Sequence, residues 1–491
     1  MEKTMFKRSD IQKKNRPIFI ALIFLPVLLI FRHFDNDIWF ILNSGRYVVQ
    51  HGIPHIEPFT LHEGFSFVMQ QWLSGVIFWG AYSFLGEIGV RLVMVMIYVL
   101  MVFITYKICM KVSDGYFFAS IAISFFVAIH LALWITTRPA LFSTFILLLE
   151  LYLLESFVTS NKKIYLVFLP VLSVLLINLQ AAIWPMLFVL FAPYFIDSFR
   201  FRVGRITGQG YPKTFLFIMV GLMLVAGFAN PYGFKAMTYL LRSYGHPEIS
   251  NLVSEMEPAA ITNLAGVTIF IAMFLTILIY VVHKTGTTKV RYVLLTLGTA
   301  YMALSSLRSF PFYAISAGFP LAYYLRNMQF NIPESQGSKR EGILKKVFII
   351  MFIVTSIFGI FYTPTEETDR ETQWREFTET IEFIKAEGAA ESVVLYTGYN
   401  DGGLAEFLGF SPYMDARAEV FVIENNGKDD VMYEYYNLQA SRLYYKDFVN
   451  KYQFTHLIVT EKDALCVNLE NDPDYRLAFS NECYILFEKN N

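Results

Sequence analysis

Apolar residues in this chain come in long runs separated by short polar stretches. A basic segment, 1–16, is followed by an apolar run over 17–31. Further runs cover 92–109, 115–134, 140–157, 164–177, 182–199, 214–229, 262–282, 292–306, 310–325 and 347–363. A helix crosses a bilayer with about 20 apolar residues, and these runs approach that length. The first run has the flanks of a signal peptide, but no small-residue cleavage site follows it. The chain goes on to Arg32-His33-Phe34-Asp35, so an uncleaved first span is expected. The stretch 72–85 is apolar but too short for a comfortable crossing and suits an interfacial or re-entrant helix.

Lys and Arg placement orients the pattern, because cytoplasmic loops are enriched in both. With the N-terminus inside and 72–85 not crossing, the inner segments are 1–16, 107–114, 158–163, 200–213, 283–291 and 326–346. These carry about three times as many Lys and Arg as the longer outer segments. Letting 72–85 cross inverts every later loop and spoils the asymmetry. Eleven spans, N-terminus cytoplasmic and C-terminus extracytoplasmic, are therefore expected.

Beyond residue 364 the long runs stop. Helical patterns cover 371–387 and 433–452, and short buried strands are expected at 392–397, 456–460 and 484–488. The chain thus divides into a transmembrane part, 1–364, and an extracytoplasmic α/β domain, 365–491, long enough to bury a core of its own.

Composition agrees. Of 491 residues, 55% are hydrophobic and only 16% charged, against about 25% charged in soluble domains. A net charge of −1 offers no field for nucleic acid. Three cysteines, Cys109, Cys466 and Cys483, make neither a disulfide framework nor a metal motif. The fold class is a polytopic α-helical membrane protein.

The topology gathers polar chemistry on the outer face. The first outer loop, 32–71, holds Asp35, Asp37, His51, His55, Glu57 and His62. A surface helix is expected from 38 to 50, ended by Gly52 and Pro54. Scattered acids and histidines also suit a plain solvated loop. Asp35 and Asp37, directly after a span, are harder to dismiss, since carboxylates at a membrane surface must be hydrated, paired or used.

Arg138 and Arg308 are exceptions to the inner bias. Helix-end snorkelling explains a lone Arg, and so does two-pronged contact with a phosphate. Asn178 and Gln180 form a tight hairpin tip, and Asn230 and Tyr232 lie in an Asn-Pro-Tyr-Gly stretch with turn chemistry. Glu255 and Glu257 close the same outer loop. Carboxylates beside lone arginines, facing lipid, suit a lipid-phosphate-linked substrate.

The ordered set of short motifs resembles the GT-C superfamily of membrane glycosyltransferases, which includes protein O-mannosyltransferases and aminoarabinose transferases. The motifs are Asp35-Asn36-Asp37-Ile38-Trp39, Gly45-Arg46, His51-Gly52-Ile53-Pro54, Glu57-Pro58-Phe59 and Gln71-Trp72-Leu73. Arg138-Pro139 with Phe142, Asn178, Asn230 to Gly233, Glu255 and Arg308 continue it. Tyr399 with Gly402-Gly403 and Asp415 with Arg417 extend it into the C-terminal part. The chain is most similar to a bacterial GT-C-like branch, from which it departs at Gln71, often Glu there, and at Gln180, where a His is often nearby.

This resemblance implies sugar transfer from a polyprenyl-phosphate-linked donor to a glycan, lipid or protein acceptor on the outer face. It implies Asp37 as catalytic base, with Asp35 second. Arg138 and Arg308 become donor phosphate ligands. His51, His55, Glu57, Asn178, Gln180, Asn230, Tyr232, Glu255 and Glu257 become substrate contacts. Members of the superfamily differ in metal dependence, so a divalent cation stays open, although paired carboxylates suit Mg²⁺ or Mn²⁺. Two other readings compete. A lipid-linked substrate transporter would carry paired halves and midplane charges, and no repeat is seen. A non-catalytic assembly or sensor protein for envelope polysaccharide would tolerate loss of the first loop.

Overall fold

The computed structural model describes residues 34–326 and 364–490, with short breaks at 244, 246–248, 250–252, 263, 283–285 and 389–391, and four residues between 23 and 27. The run expected at 347–363 lies outside the described residues, and the run at 17–31 largely so.

Each remaining apolar run is helical. The bundle comprises Glu87–Val112, Phe117–Trp134, Ala140–Ser160, Leu169–Leu179, Met186–Asp197, Thr214–Ala226, Leu264–Val282, Val290–Ser305 and Phe310–Leu325. Among the described residues, the helices Glu87–Val112, Ala140–Ser160 and Ala265–Val282 are long and apolar enough to cross a membrane by length and composition. The 164–177 run is interrupted at Phe168, and Pro170 lies in the first turn of the second piece, where proline is tolerated.

The segment 38–50 does form a helix, Ile38–His51, and Gly52 ends it at φ 84°, a backbone angle that favours glycine. It is not a surface helix, however. Ile38 through Gly45 are buried. One flank meets the Trp72–Leu85 helix, where a Cβ on Gly45 would stand 2.1 Å from the Gly75 carbonyl oxygen. Glycine on both sides lets the two backbones touch. The other flank meets the helix Gly402–Phe407, whose Gly403 has no side chain to hold it off Phe40; a Cβ there would lie 3.2 Å from the Phe40 Cβ. Arg46 reaches the same neighbour, donating to the Phe407 carbonyl at 3.0 Å. Arg46 and Gly403 thus serve one interface, and Gly45 serves the other flank of the same helix.

The C-terminal part begins with the helix Pro364–Ala386 and contains a four-stranded mixed sheet. In it Leu395–Tyr396 runs parallel to His456–Val459, which pairs antiparallel with Ile485–Lys489, and that strand with Tyr475–Ser480. The edge strand Tyr475–Ser480 has exposed and half-exposed residues at most positions, so no buried run announces it. The single helix expected over 433–452 is two, Val431–Gln439 and Tyr445–Tyr452. They break at Ser441, which adopts a left-handed φ of 54°. A second surprise is a small sheet: Phe201–Val203 pairs antiparallel with Ile206–Gly208, which runs parallel to Thr288–Lys289.

Two polar clusters, one fully buried and one half-buried, lie at opposite ends of the same helices. Arg291, at the start of Val290–Ser305, pairs with Glu155 at 2.8 Å and with Asp197 at 2.6 Å. Ala140–Ser160 carries Glu155 near its far end and starts beside Arg138. At 1.5 Å per residue this helix is about 30 Å long, the thickness of a bilayer core.

Candidate active site

The site is assembled at the Arg138 end from four separate segments. Asp35 and Asp37 lie in the turn that opens the Ile38–His51 helix. Asp37 occupies the N-cap position, where an Asp side chain ordinarily accepts a bond from its own helix. Here it makes no such bond. Asp35 takes that role in part, accepting the Asp37 amide at 3.0 Å, while its own amide donates to Thr137 Oγ1 at 3.0 Å. The Asp37 carboxylate is thereby left to face the bundle.

What it faces is Arg138. The guanidinium Nε stands 2.9 Å from Asp35 Oδ1 and 3.0 Å from Asp37 Oδ2. Nη1 donates to Glu255 Oε2 at 2.7 Å. Glu255 is positioned by main-chain ties between its loop and the turn carrying Arg308. Ser306 Oγ donates to the Glu255 carbonyl at 3.3 Å, and the Leu307 amide to the Glu257 carbonyl at 3.1 Å. Arg308 itself is exposed and, among the described residues, has no ion pair.

Three carboxylates around one guanidinium cannot all ionise freely. The Asp37 carboxyl is pushed up to about 7, first by removal from water and then by Asp35 and Glu255, against the pull of Arg138 and the weaker pull of Arg308. Burial works against the Arg138 charge, but Asp37, Asp35 and Glu255 outweigh it and hold the guanidinium above its ordinary range.

The turn is clamped from the C-terminal part. Asn36 donates to the Asn400 carbonyl at 2.5 Å and accepts from Trp374 Nε1 at 2.5 Å, and Arg370 donates to the Phe34 carbonyl at 2.7 Å. Trp39 packs edge-on against Trp374 with centroids 5.4 Å apart. Thr137, Asn36, Arg370 and Trp374 are residues that sequence reasoning missed. Asn36 sits inside the Asp-x-Asp motif and was the one available signal.

The other expected contacts are dispersed, and several are committed elsewhere. Glu57 accepts from the Phe59 amide, the Thr60 amide and hydroxyl, and Arg417 Nη2 at 3.1, 3.0, 2.7 and 3.0 Å. Asn178 accepts from Trp72 Nε1 at 2.9 Å and donates to the Val174 and Ala229 carbonyls. Gln180 is buried and accepts from Ser143 at 2.6 Å. Asn230 bonds within its own turn, to Gly227, Tyr232 and Gly233. The Tyr232 hydroxyl donates to the Pro54 carbonyl at 2.8 Å, and its ring meets His55 edge-on. His51, stacked on Tyr47, His55 and Glu257 are exposed. His62 looks like its loop neighbours in sequence but is buried against Phe65. Its Nε2 lies 2.8 Å from the Tyr413 carbonyl, and burial lowers it to about 4.

The same architecture is seen in ArnT from Cupriavidus metallidurans bound to undecaprenyl phosphate. The match has a TM-score of 0.58 over 96% of this chain and 97% of that one, at 9% sequence identity. The chain has the GT-C fold. The oligosaccharyltransferase of Archaeoglobus fulgidus, tethered with an acceptor peptide, shares it with a TM-score of 0.56 at 11% identity, over 98% of this chain and 74% of that one. Its AglB in complex with an inhibitory peptide and a dolichol-phosphate gives 0.55 at 9% identity, over 91% and 70%. No protein-family model and no curated protein matches the sequence.

Proposed function

We propose that this GT-C-fold chain is a membrane glycosyltransferase moving a sugar from a polyprenyl-phosphate-linked donor to an acceptor hydroxyl. The carrying observation is the Asp37 carboxylate, turned away from its own helix into a cluster with Arg138 and Glu255, near an Arg308 left unpaired among the described residues. Asp37 takes the acceptor proton as the acceptor oxygen bonds to the anomeric carbon. The bond from that carbon to the phosphate oxygen breaks, and the lipid phosphate leaves with the electron pair. Arg308, not Arg138, is the phosphate ligand in this reading, because the Arg138 charge is already matched by three carboxylates. Its planar fork stabilises charge growing on the phosphate. The acceptor belongs to a surface polysaccharide, glycolipid or protein.

Two measurements test these roles. With purified protein and a synthetic polyprenyl-phospho-sugar, Arg308→Lys is expected to raise the donor KM about tenfold with little change for acceptor, since Lys keeps the charge but loses the paired contact. An unchanged donor KM would remove Arg308 from the site. For pH, the raised Asp37 value means that the base is protonated below about 7. Activity is therefore expected to rise with pH through that region and level off above it; a profile flat from pH 5 to 8 would contradict the assignment.

In this reading the bundle has eleven spans and the Asp37 end faces outward, with the N-terminus cytoplasmic. Cysteines at the exposed positions Glu257 and Lys162 should label from outside and only after permeabilisation, respectively. The reverse pattern would turn the site inward.

A further inference from the structure

Paired carboxylates invite a divalent cation, yet the geometry around Asp37 leaves no place for one. Mg²⁺ and Mn²⁺ bind carboxylate oxygens at about 2.0–2.2 Å, Mg²⁺ usually one or two of them together with waters. The oxygens that would serve, Asp35 Oδ1, Asp37 Oδ2 and Glu255 Oε2, all converge on Arg138, at 2.9, 3.0 and 2.7 Å. A metal held by any of them would sit close to a guanidinium of the same sign, and no choice of oxygens brings all three within 4.8 Å of one another. Among the described residues, the one group of three metal-binding side chains with ligand atoms all within 4.8 Å of one another is Glu387, His456 and Glu488. That group belongs to the C-terminal sheet, and Arg476 already holds its Glu488 at 2.6 Å.

Nor is Arg138 free to swing away. It directly precedes Pro139, the N-cap of the Ala140–Ser160 helix, and proline narrows the backbone of the residue before it. Its two contact nitrogens engage carboxylates from two different segments, so withdrawal would leave three acids facing one another with nothing between them.

We infer that Arg138 is the resident cation of this site, neutralising Asp35, Asp37 and Glu255 in place of a divalent metal. Transfer then needs no metal. For its activity arm this rests on the glycosyltransferase reading; its binding arm does not.

The test uses full-length protein in detergent, with Mn²⁺ as probe and its free electron paramagnetic resonance signal as readout. The wild-type protein is expected to keep its transfer rate within about twofold in EDTA and to take up no Mn²⁺ that Asp37→Asn abolishes. Arg138→Ala is expected to lose transfer, and added Mn²⁺ is expected not to restore it, because the three carboxylates do not bring one oxygen each within 4.8 Å of the others. Wild-type activity that vanishes in EDTA and returns with Mn²⁺ would overturn the inference, as would Mn²⁺ uptake by the wild-type protein that Asp37→Asn abolishes. If Arg138→Ala does not fold, the two wild-type measurements still decide. If wild-type protein transfers no sugar from any donor, the glycosyltransferase reading fails, and Mn²⁺ binding alone judges the role of Arg138.

Discussion

Asp37→Asn is expected to lower transfer by about 10²–10⁴-fold while leaving the protein folded in the membrane. The substitution keeps the shape of the side chain and its place at the head of the Ile38–His51 helix. It removes the group that can accept a proton and one of the three negative charges around Arg138. Folding should survive, because the Asp37 side chain makes no capping bond and the turn is held by Asp35, Asn36 and Thr137 instead. Asp35→Asn is expected to be milder in chemistry, since Asp35 already accepts from the Asp37 amide. The assay is consumption of a polyprenyl-phospho-sugar, with protein level and melting midpoint followed in parallel. Full activity in Asp37→Asn would eliminate it as the base, and a dead Asp35→Asn beside it would hand that role to Asp35.

The largest effect on stability is expected from Arg417→Ala, about 3–5 kcal/mol. Arg417 is buried with Asp415, Glu406 and Glu57, and rings of Phe59, Phe67 and Phe40 surround its guanidinium. Nε donates to Asp415 at 2.7 Å, and Nη2 reaches Glu406 at 2.9 Å and Glu57 at 3.0 Å. Burial pushes the Glu406 carboxyl well above its ordinary range. Asp415 is buried too, yet the arginine holds it below its own. One cation thus serves three buried carboxyl groups. Removing it strands Glu57 and Asp415 in an apolar surround, and the cost is that of uncompensated charge rather than of a lost contact. Glu57 is in the first loop and Arg417 some 360 positions away, so the variant should also loosen the C-terminal part from the bundle. Differential scanning fluorimetry in detergent is the measurement, and an unchanged melting midpoint would show that the network carries no net stability. The same network joins 365–491 to the first loop through Glu57.

Much of the bundle was legible because an apolar run long enough to be a span has few alternatives to a helix: its backbone groups must bond within the segment. The expected run at 310–325 and the helix Phe310–Leu325 coincide. The two helices within 433–452 were not legible, because polar, aromatic sequence continues across the break and nothing but the left-handed Ser441 marks it. The edge strand Tyr475–Ser480 was missed for want of a buried run. In the site, Asp35, Asp37, Arg138, Glu255 and Arg308 were each nameable from topology, since residues at one end of successive spans must share a face.

What the sequence determined by itself is therefore a bundle of apolar helices with acids and two lone arginines gathered at one end. Periodicity, length and charge asymmetry are local properties, and they suffice for that. Tertiary structure decided the pairing. That Arg138 is held by three carboxylates and Arg308, among the described residues, by none, and that Glu57 turns to Arg417 rather than toward Asp37, depends on contacts between segments a hundred to several hundred residues apart. Such contacts are set by helix packing, by glycines that let backbones touch, and by the balance of buried charge, none of which is written in any one stretch of chain.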